Sequence, residues 1–351
     1  MLNILLLAVL ISVTFYIIFN NADGFSFNSL MEFVANIHWP FLVAAFICMI
    51  MHMGFKGLSL GALNKHLGYK KKPLENYSYA SADIYFSAIT PSATGGQPAS
   101  AYYMVKDGIP LSITTAILSF NLFMYTSNLI FVGLLAFLIR PMLFLQFELW
   151  VKLFIIAGFL VQSGFLAVYI MIIVSDKTVL RLAKWIISLL CFLHIFKDKN
   201  KYMERVENSV NRFRASVKMV SKSKKMIVST FTLNFLERIG YLAIGVLVFF
   251  GAKYNMPNLS SVDVSVIDVF ALETYAMLGA YCVPLPGAVG ASEGIFFSIF
   301  SLLINNKVLL NSTMVTTRAI TFYICFIFAG IVTLIHHIKV NFIKPYKKLK
   351  S

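Results

Sequence analysis

Apolar residues dominate six stretches of this chain, near residues 2–19, 38–55, 110–139, 149–174, 226–251 and 311–338. A hydrocarbon core of ~30 Å takes ~20 helical residues, so each stretch predicts a transmembrane helix. Two more apolar stretches, 77–105 and 264–304, are cut by proline and glycine around Thr94 to Pro98 and Pro284 to Gly290. Proline stops a helix and frees backbone carbonyls, so neither is predicted to be one straight helix. The fold expected is an all-α polytopic membrane protein of about six transmembrane helices plus two broken segments.

Composition agrees with this reading. The chain has 351 residues, 59% hydrophobic and 13% charged, whereas soluble domains sit near ~45–50% and ~25%. The segment 2–19 has no basic leader and no small-residue cleavage pattern before Asn20, so it is read as an anchor with the chain beginning at Met1. Cys48, Cys191, Cys282 and Cys325 stand apart in apolar surroundings without CxxC spacing, which supports neither a disulfide framework nor a metal site. No cofactor is implied.

Charge sets the orientation. The net charge of +15 would point to nucleic acid if it covered a soluble face, but here it is concentrated in loops. Five Lys or Arg lie between Lys56 and Lys72, thirteen between Lys177 and Lys225, and five between Lys339 and Lys350. The loops at 20–37, 140–148 and 252–263 hold zero, one and one. The positive-inside rule then places the rich loops and both termini in the cytoplasm, with the chain in the plasma membrane. Six crossings fit that assignment only if each broken segment leaves on the side where it came in. The first, 77–105, is therefore expected to dip in from the cytoplasm and the second, 264–304, from outside. Two re-entrant hairpins of opposite orientation are the expectation for an inverted repeat with a site near the midplane. The chain is read as one transmembrane domain: a first half 1–174, a basic cytoplasmic connector 175–225 and a second half 226–351. The connector sets Phe192, Leu193, Ile195 and Phe196 among lysines; it is either a plain connector or a helix lying on anionic headgroups.

Charged side chains at the bilayer centre cost at least ~2.5–3.5 kcal/mol each and should face protein or water. The candidates are Asp83, Glu237, Arg238, Glu273, Glu293 and Arg318. Glu293 opens the returning helix of the second hairpin, where a carboxylate either caps the helix or meets a headgroup or its counter-cation. Arg318 either snorkels to the interface or pairs with Glu293 or Glu273 and offers its planar donors to a phosphate. Glu237 and Arg238 point about 100° apart on a helix, so each needs a partner elsewhere and their helix belongs in the bundle interior. Asp83, near Tyr77, Tyr79 and Tyr85, is either solvated or in a cavity. Gly95, Gly96, Gly287 and Gly290 allow positive φ and close approach, and Pro91, Pro98, Pro284 and Pro286 end helices. Helix N-termini at such breaks suit an anion such as a phosphodiester. Gln97, Asn121 and Asn128 are expected to add hydrogen bonds, and His336 and His337 to sit at headgroup level rather than bind metal.

The runs PLPGAVGASEGIFFSIF at 284–300, with Arg318 and Tyr323 following, and ITPSATGGQPASAYYMVKDG at 89–108 resemble the lysylphosphatidylglycerol synthase transmembrane-region family. This flippase-like module also forms the N-terminal part of the multiple peptide resistance factor. The most specific part is PGxxGxxE, here Pro286, Gly287, Gly290 and Glu293; Ala288 departs from the second glycine that many members carry. The resemblance implies a bundle with re-entrant hairpins that moves phospholipid between leaflets, in the best-known members an aminoacylated phosphatidylglycerol, with a role in resistance to cationic antimicrobial peptides. With that function, the candidate substrate path read from the residues runs through Glu293, Arg318, Glu273, Gly287, Gly290, Pro286, Gly95, Gly96, Gln97, Asp83, Glu237 and Arg238. The synthase chemistry of bifunctional members belongs to a separate cytosolic domain, and the sequence in hand ends at Ser351 after the last crossing. The alternatives are a phosphatidylglycerol lysyltransferase or other lipid-modifying enzyme, and a membrane partner of a separately encoded synthase or glycosyltransferase. The membrane segments offer no SxxK, no His beside a midplane carboxylate and no DxD pair for the enzyme.

Overall fold

The structure is a computed structural model and describes residues 9, 12, 16, 25–192, 198–220, 223–256, 259 and 263–343. Most of the expected first crossing, Leu193 to Phe196 of the connector, and the basic C-terminal run from Lys344 lie outside the described residues. Among those described, helices follow one another without a strand.

After a short α1 (Phe27–Asn36), capped by Ser26, comes α2 (Trp39–His66). Two short helices follow, α3 (Pro73–Ala88) and α4 (Gly96–Lys106), then the long α5 (Leu111–Ile139), a turn of helix α6 (Pro141–Gln146) and α7 (Leu149–Val174). The connector forms α8 (Asp176–Phe192) and α9 (Lys199–Val220). The second half begins with α10 (Lys224–Asn255), then α11 (Val266–Ala280), α12 (Ala291–Phe300) and α13 (Lys307–Arg318). A π-helical turn, Ala319–Ile324, joins α13 to α14 (Cys325–Ile338).

Five spans among the described residues are long and apolar enough to cross a bilayer: α2, α5, α7, α10 and the run Lys307–Phe342. They coincide with five of the six stretches read from the sequence. Their surroundings differ. The apolar window of α10 is 56% buried and that of α7 only 11%, so α10 is an interior helix and α7 a peripheral one. Exposed Leu153, Leu160 and Phe165 on α7 suit contact with lipid tails.

The two broken stretches fold as helix-break-helix hairpins, α3 on α4 (hairpin 1) and α11 on α12 (hairpin 2). Their limbs of 16, 11, 15 and 10 residues rise ~1.5 Å per residue and are too short to cross a ~30 Å core singly. Hairpin 1 turns through Pro91–Ala93, with Ser92 and Ala93 at φ 51° and 55°. Hairpin 2 turns through Pro286–Ala288, with Gly287 at φ 59° and Ala288 at φ 50°. The two turns touch, and Ile89 and Val289 pack together there with Phe86 and Phe322.

Small residues allow the close approaches that hold the hairpins. A Cβ on Gly57 of α2 would stand 2.9 Å from the Tyr77 backbone of α3, and one on Gly158 of α7 would overlap the Leu278 carbonyl of α11. Such contacts let helices associate where lipid supplies no hydrophobic drive between them. One expectation needs correcting here. The stretch 38–55 continues as helix to His66, so Lys56 is intrahelical and largely covered rather than part of the basic loop that follows.

Candidate functional site

The hairpin turns, α2, α5, α7, α10 and the α13–α14 junction line a half-open cavity of about 740 Å³. Ion pairs line it at two places, each built on one hairpin.

At hairpin 2, Glu293 occupies the first turn of α12. One carboxylate oxygen accepts from the Gly290 N–H at 2.7 Å and the Ser292 hydroxyl at 2.8 Å. The other takes the Arg318 Nε–H at 2.8 Å. Arg318 also donates from Nη2 to the Gly287 carbonyl at 3.1 Å, and its guanidinium lies 4.8 Å from the Phe322 ring centre. Glu293 therefore caps its helix, the first of the two roles open to it, and pairs with Arg318 at once, the second of the two settings open to that arginine. Gly290, at φ 88°, supplies the amide, and Gly287 leaves the space that Phe322 fills. Buried Pro286 starts the turn. Arg318 stands where α-helix gives way to π-helix, an irregularity frequent at functional sites.

At hairpin 1, Asp83 of α3 pairs with Lys56 of α2 at 2.7 Å, both side chains largely buried. Of the two settings open to Asp83, the cavity is the one found. Gly96 makes room for it, since a Cβ there would overlap the carboxylate and the Ser87 hydroxyl. Gly95 closes the turn, its N–H donating to Thr90 Oγ1 at 2.8 Å, and Gln97 lines the cavity.

Between the pairs stand Glu237 and Arg238 of α10, 1% and 3% exposed. Arg238 stacks 4.2 Å from the Tyr125 ring centre and donates from Nη1 to the Tyr281 hydroxyl at 3.2 Å. The Tyr125 and Tyr281 hydroxyls are 2.6 Å apart. Arg238 Nε and Nη2 and both Glu237 carboxylate oxygens have no hydrogen-bond partner. Arg238 thus finds aromatic neighbours on other helices, as its place beside Glu237 required, while Glu237 faces the cavity without a protein donor. Glu273 of α11 also lines the cavity; it lodges against Gly245, where a Cβ would overlap its carboxyl, and its Oε1 has no partner.

The sequence reading missed Lys56, His52, Tyr125, Tyr281 and Gly245. Lys56 was hidden by its position at the edge of an apolar run. The others are single residues whose partners come from distant helices. Asn121 and Asn128 do make interhelical bonds, Asn121 accepting from Ser59 Oγ at 2.6 Å and Asn128 donating to the Phe231 carbonyl at 3.1 Å. His336 is buried in protein and pairs at 3.0 Å with Asp107 of the loop after α4, and the Tyr79 hydroxyl donates to the same carboxylate at 2.6 Å. Among the described residues, no three His, Cys, Asp or Glu stand close enough to hold a metal ion.

The sequence model of the family described as lysylphosphatidylglycerol synthase TM region matches residues 2–329. The chain belongs to that family. Residues 2–329 take in both hairpins, Glu293 and Arg318, so the membership covers the whole cavity. The chain is also similar to a "UPF0104 membrane protein" of Archaeoglobus fulgidus, 23% identical over 319 residues that cover 89% of this chain and 91% of that one. A "UPF0104 membrane protein" of Methanothermobacter thermautotrophicus is 26% identical over 244 residues, 67% of each chain. The lysylphosphatidylglycerol synthase TM family member described here is a multi-pass, all-α membrane protein.

Proposed function

We propose that this protein is a flippase-like translocase that carries a phospholipid headgroup between leaflets through the cavity at the hairpin turns. The observation that carries the reading is the convergence of both hairpin turns, two buried arginines and the largely buried Lys56 on one cavity. Its volume of about 740 Å³ falls within the ~300–1,000 Å³ of sites for small ligands. The acyl chains stay among lipid tails while the polar headgroup takes this path, so charged side chains need face only protein, headgroup and water. Cations meet the phosphate, and Glu273 faces the ammonium of an aminoacylated headgroup such as that of lysylphosphatidylglycerol.

Loop charge supports an orientation with both termini cytoplasmic in the plasma membrane. In that orientation hairpin 1 dips in from the cytoplasm and hairpin 2 from outside, and the touching turns bring both hairpin tips to one depth. The family's name supports a lipid-related role, and resistance to cationic peptides would follow from moving a cationic lipid outward. Mass spectrometry of protein released gently from the membrane should find a phospholipid retained. Ala280→Trp, which fills the cavity, should shed it. A wild-type protein that retains no phospholipid, or a variant that retains as much, counts against the proposal.

A further inference from the structure

The two cavity arginines look alike in sequence but are spent differently. An arginine grips a phosphate bidentately through an edge of its planar fork, such as that formed by Nε and Nη2. Arg318 has this edge filled by hairpin 2, Nε by Glu293 and Nη2 by the Gly287 carbonyl. Arg238 has the same edge empty: Nε and Nη2 are both without partners, on a residue 3% exposed that lines the cavity. Its other nitrogen, Nη1, is held by the Tyr281 hydroxyl, and its flat face by Tyr125. The fork is fixed in place with one edge turned free.

Next to it in sequence is Glu237, 1% exposed, lining the same cavity with both carboxylate oxygens unpartnered. Lys56 and Asp83 pair with each other, as do Arg318 and Glu293. Those four charges cancel locally. His52 of α2 directs Nδ1 at the Glu237 backbone carbonyl, 3.1 Å away, and not at its carboxylate. Tyr125 and Tyr281 share a hydrogen bond with each other, Tyr241 lies along α10, and Glu273 lodges apart, against Gly245. Lys56 and Arg238 are the cations that act on Glu237, and of the two Lys56 is already paired with Asp83. When an anion takes the Arg238 fork, a second negative charge is left beside it on a carboxylate only 1% exposed. A buried unpaired charge is costly, and protonation is the ordinary relief.

We infer that Arg238 is the phosphate-binding residue of the cavity and that Glu237 takes up one proton when the phosphate binds, coupling anionic headgroup binding to proton binding. The step forms one O–H bond on the Glu237 carboxylate. The proton comes from the aqueous phase and returns to it when the phosphate leaves, and no other reactant is needed. The inference rests on the translocase reading and specifies how its site is charged. By linkage, apparent affinity for the anion then falls by up to tenfold per pH unit where unliganded Glu237 is ionised.

Calorimetry on the full chain in neutral detergent tests this, with dihexanoyl phosphatidylglycerol as probe in buffers of different ionisation enthalpy. The wild type should take up about one proton per lipid bound. Glu237→Gln should bind with an uptake near zero, Glu273→Gln should keep the uptake, and Arg238→Gln should weaken binding more than tenfold. Inorganic phosphate run alongside separates a lipid headgroup from a free anion: if it binds as tightly and with the same uptake, the site is one for free phosphate. Lipid bound by the wild type with no proton uptake overturns the inference and leaves the translocase reading standing. The same follows if uptake is lost with Glu273 and kept without Glu237. Should Glu237→Gln fail to fold, the wild-type proton count decides alone. A wild type that binds no phospholipid removes both readings.

Discussion

Replacing Arg318 with methionine should destabilise the protein, and replacing Glu293 as well should restore much of the loss. Arg318 is 8% exposed and makes two bonds into hairpin 2, to Glu293 at 2.8 Å and the Gly287 carbonyl at 3.1 Å. Arg318→Met leaves a carboxylate 4% exposed, with the Gly290 amide and the Ser292 hydroxyl as its remaining donors. Stripping a buried charge of its partner costs about 3–5 kcal/mol. Glu293→Gln keeps an oxygen to cap α12 but abandons the guanidinium, with a loss toward the lower end of that range. In the double variant both charges are gone and the methionine packs on Phe322, so the pair should cost less than the sum of the singles. A coupling of about 2–3 kcal/mol is expected for groups in direct contact. SDS titration in mixed micelles, followed by the fluorescence of Trp39, Trp150 and Trp185, measures it. Additive losses, within about 0.5 kcal/mol, would refute the claim that the pair holds the hairpin.

Other substitutions probe the remaining parts of the structure. Lys56→Met should cost about 3–5 kcal/mol in the same titration, with most of it recovered when Asp83→Asn is added. Gly96→Val, whose Cβ overlaps the Asp83 carboxylate and the Ser87 hydroxyl, should cost about 1–3 kcal/mol by overpacking in the same titration. Gly158→Leu should abolish a monodisperse peak on size exclusion, because the Leu278 carbonyl occupies that space, whereas Gly164→Leu meets nothing within 4 Å and should be neutral. Asp107, in the loop between hairpin 1 and α5, is pushed up by burial, but hydrogen bonds from His336 and Tyr79 more than reverse this and hold it below its ordinary 3.8. A lowered carboxyl stabilises the fold above its unfolded value and loses that contribution as pH falls through the folded one. Melting curves should therefore show an acid-dependent loss below pH 3.8 that Asp107→Asn lacks.

The helices were legible in the sequence because lipid imposes a length and a composition that few other structures share. The breaks were legible because proline and glycine have fixed backbone consequences, and the PGxxGxxE run located the capped carboxylate of Glu293. The pairings were another matter. The Glu293 and Arg318 pair could be named as one of two options, since both residues stand near hairpin 2. The Lys56 and Asp83 pair could not, because lysine beside an apolar run reads as a loop charge, and only the continuation of α2 through Gly57 and Gly61 buries it. The Tyr125 and Tyr281 contacts with Arg238 join α5, α10 and hairpin 2, and no local pattern records such a meeting. Glu273 was chosen for being charged at depth, yet what seats it is Gly245 on another helix.

The central claim is that phospholipid passes along this cavity. Reconstitution into vesicles of phosphatidylcholine and phosphatidylglycerol, with a fluorescent phosphatidylglycerol bleached from outside, measures it directly. The account predicts faster loss of inner-leaflet fluorescence with the wild type than in protein-free vesicles, and slower loss with folded Ala280→Trp. Equal rates in all three would contradict it.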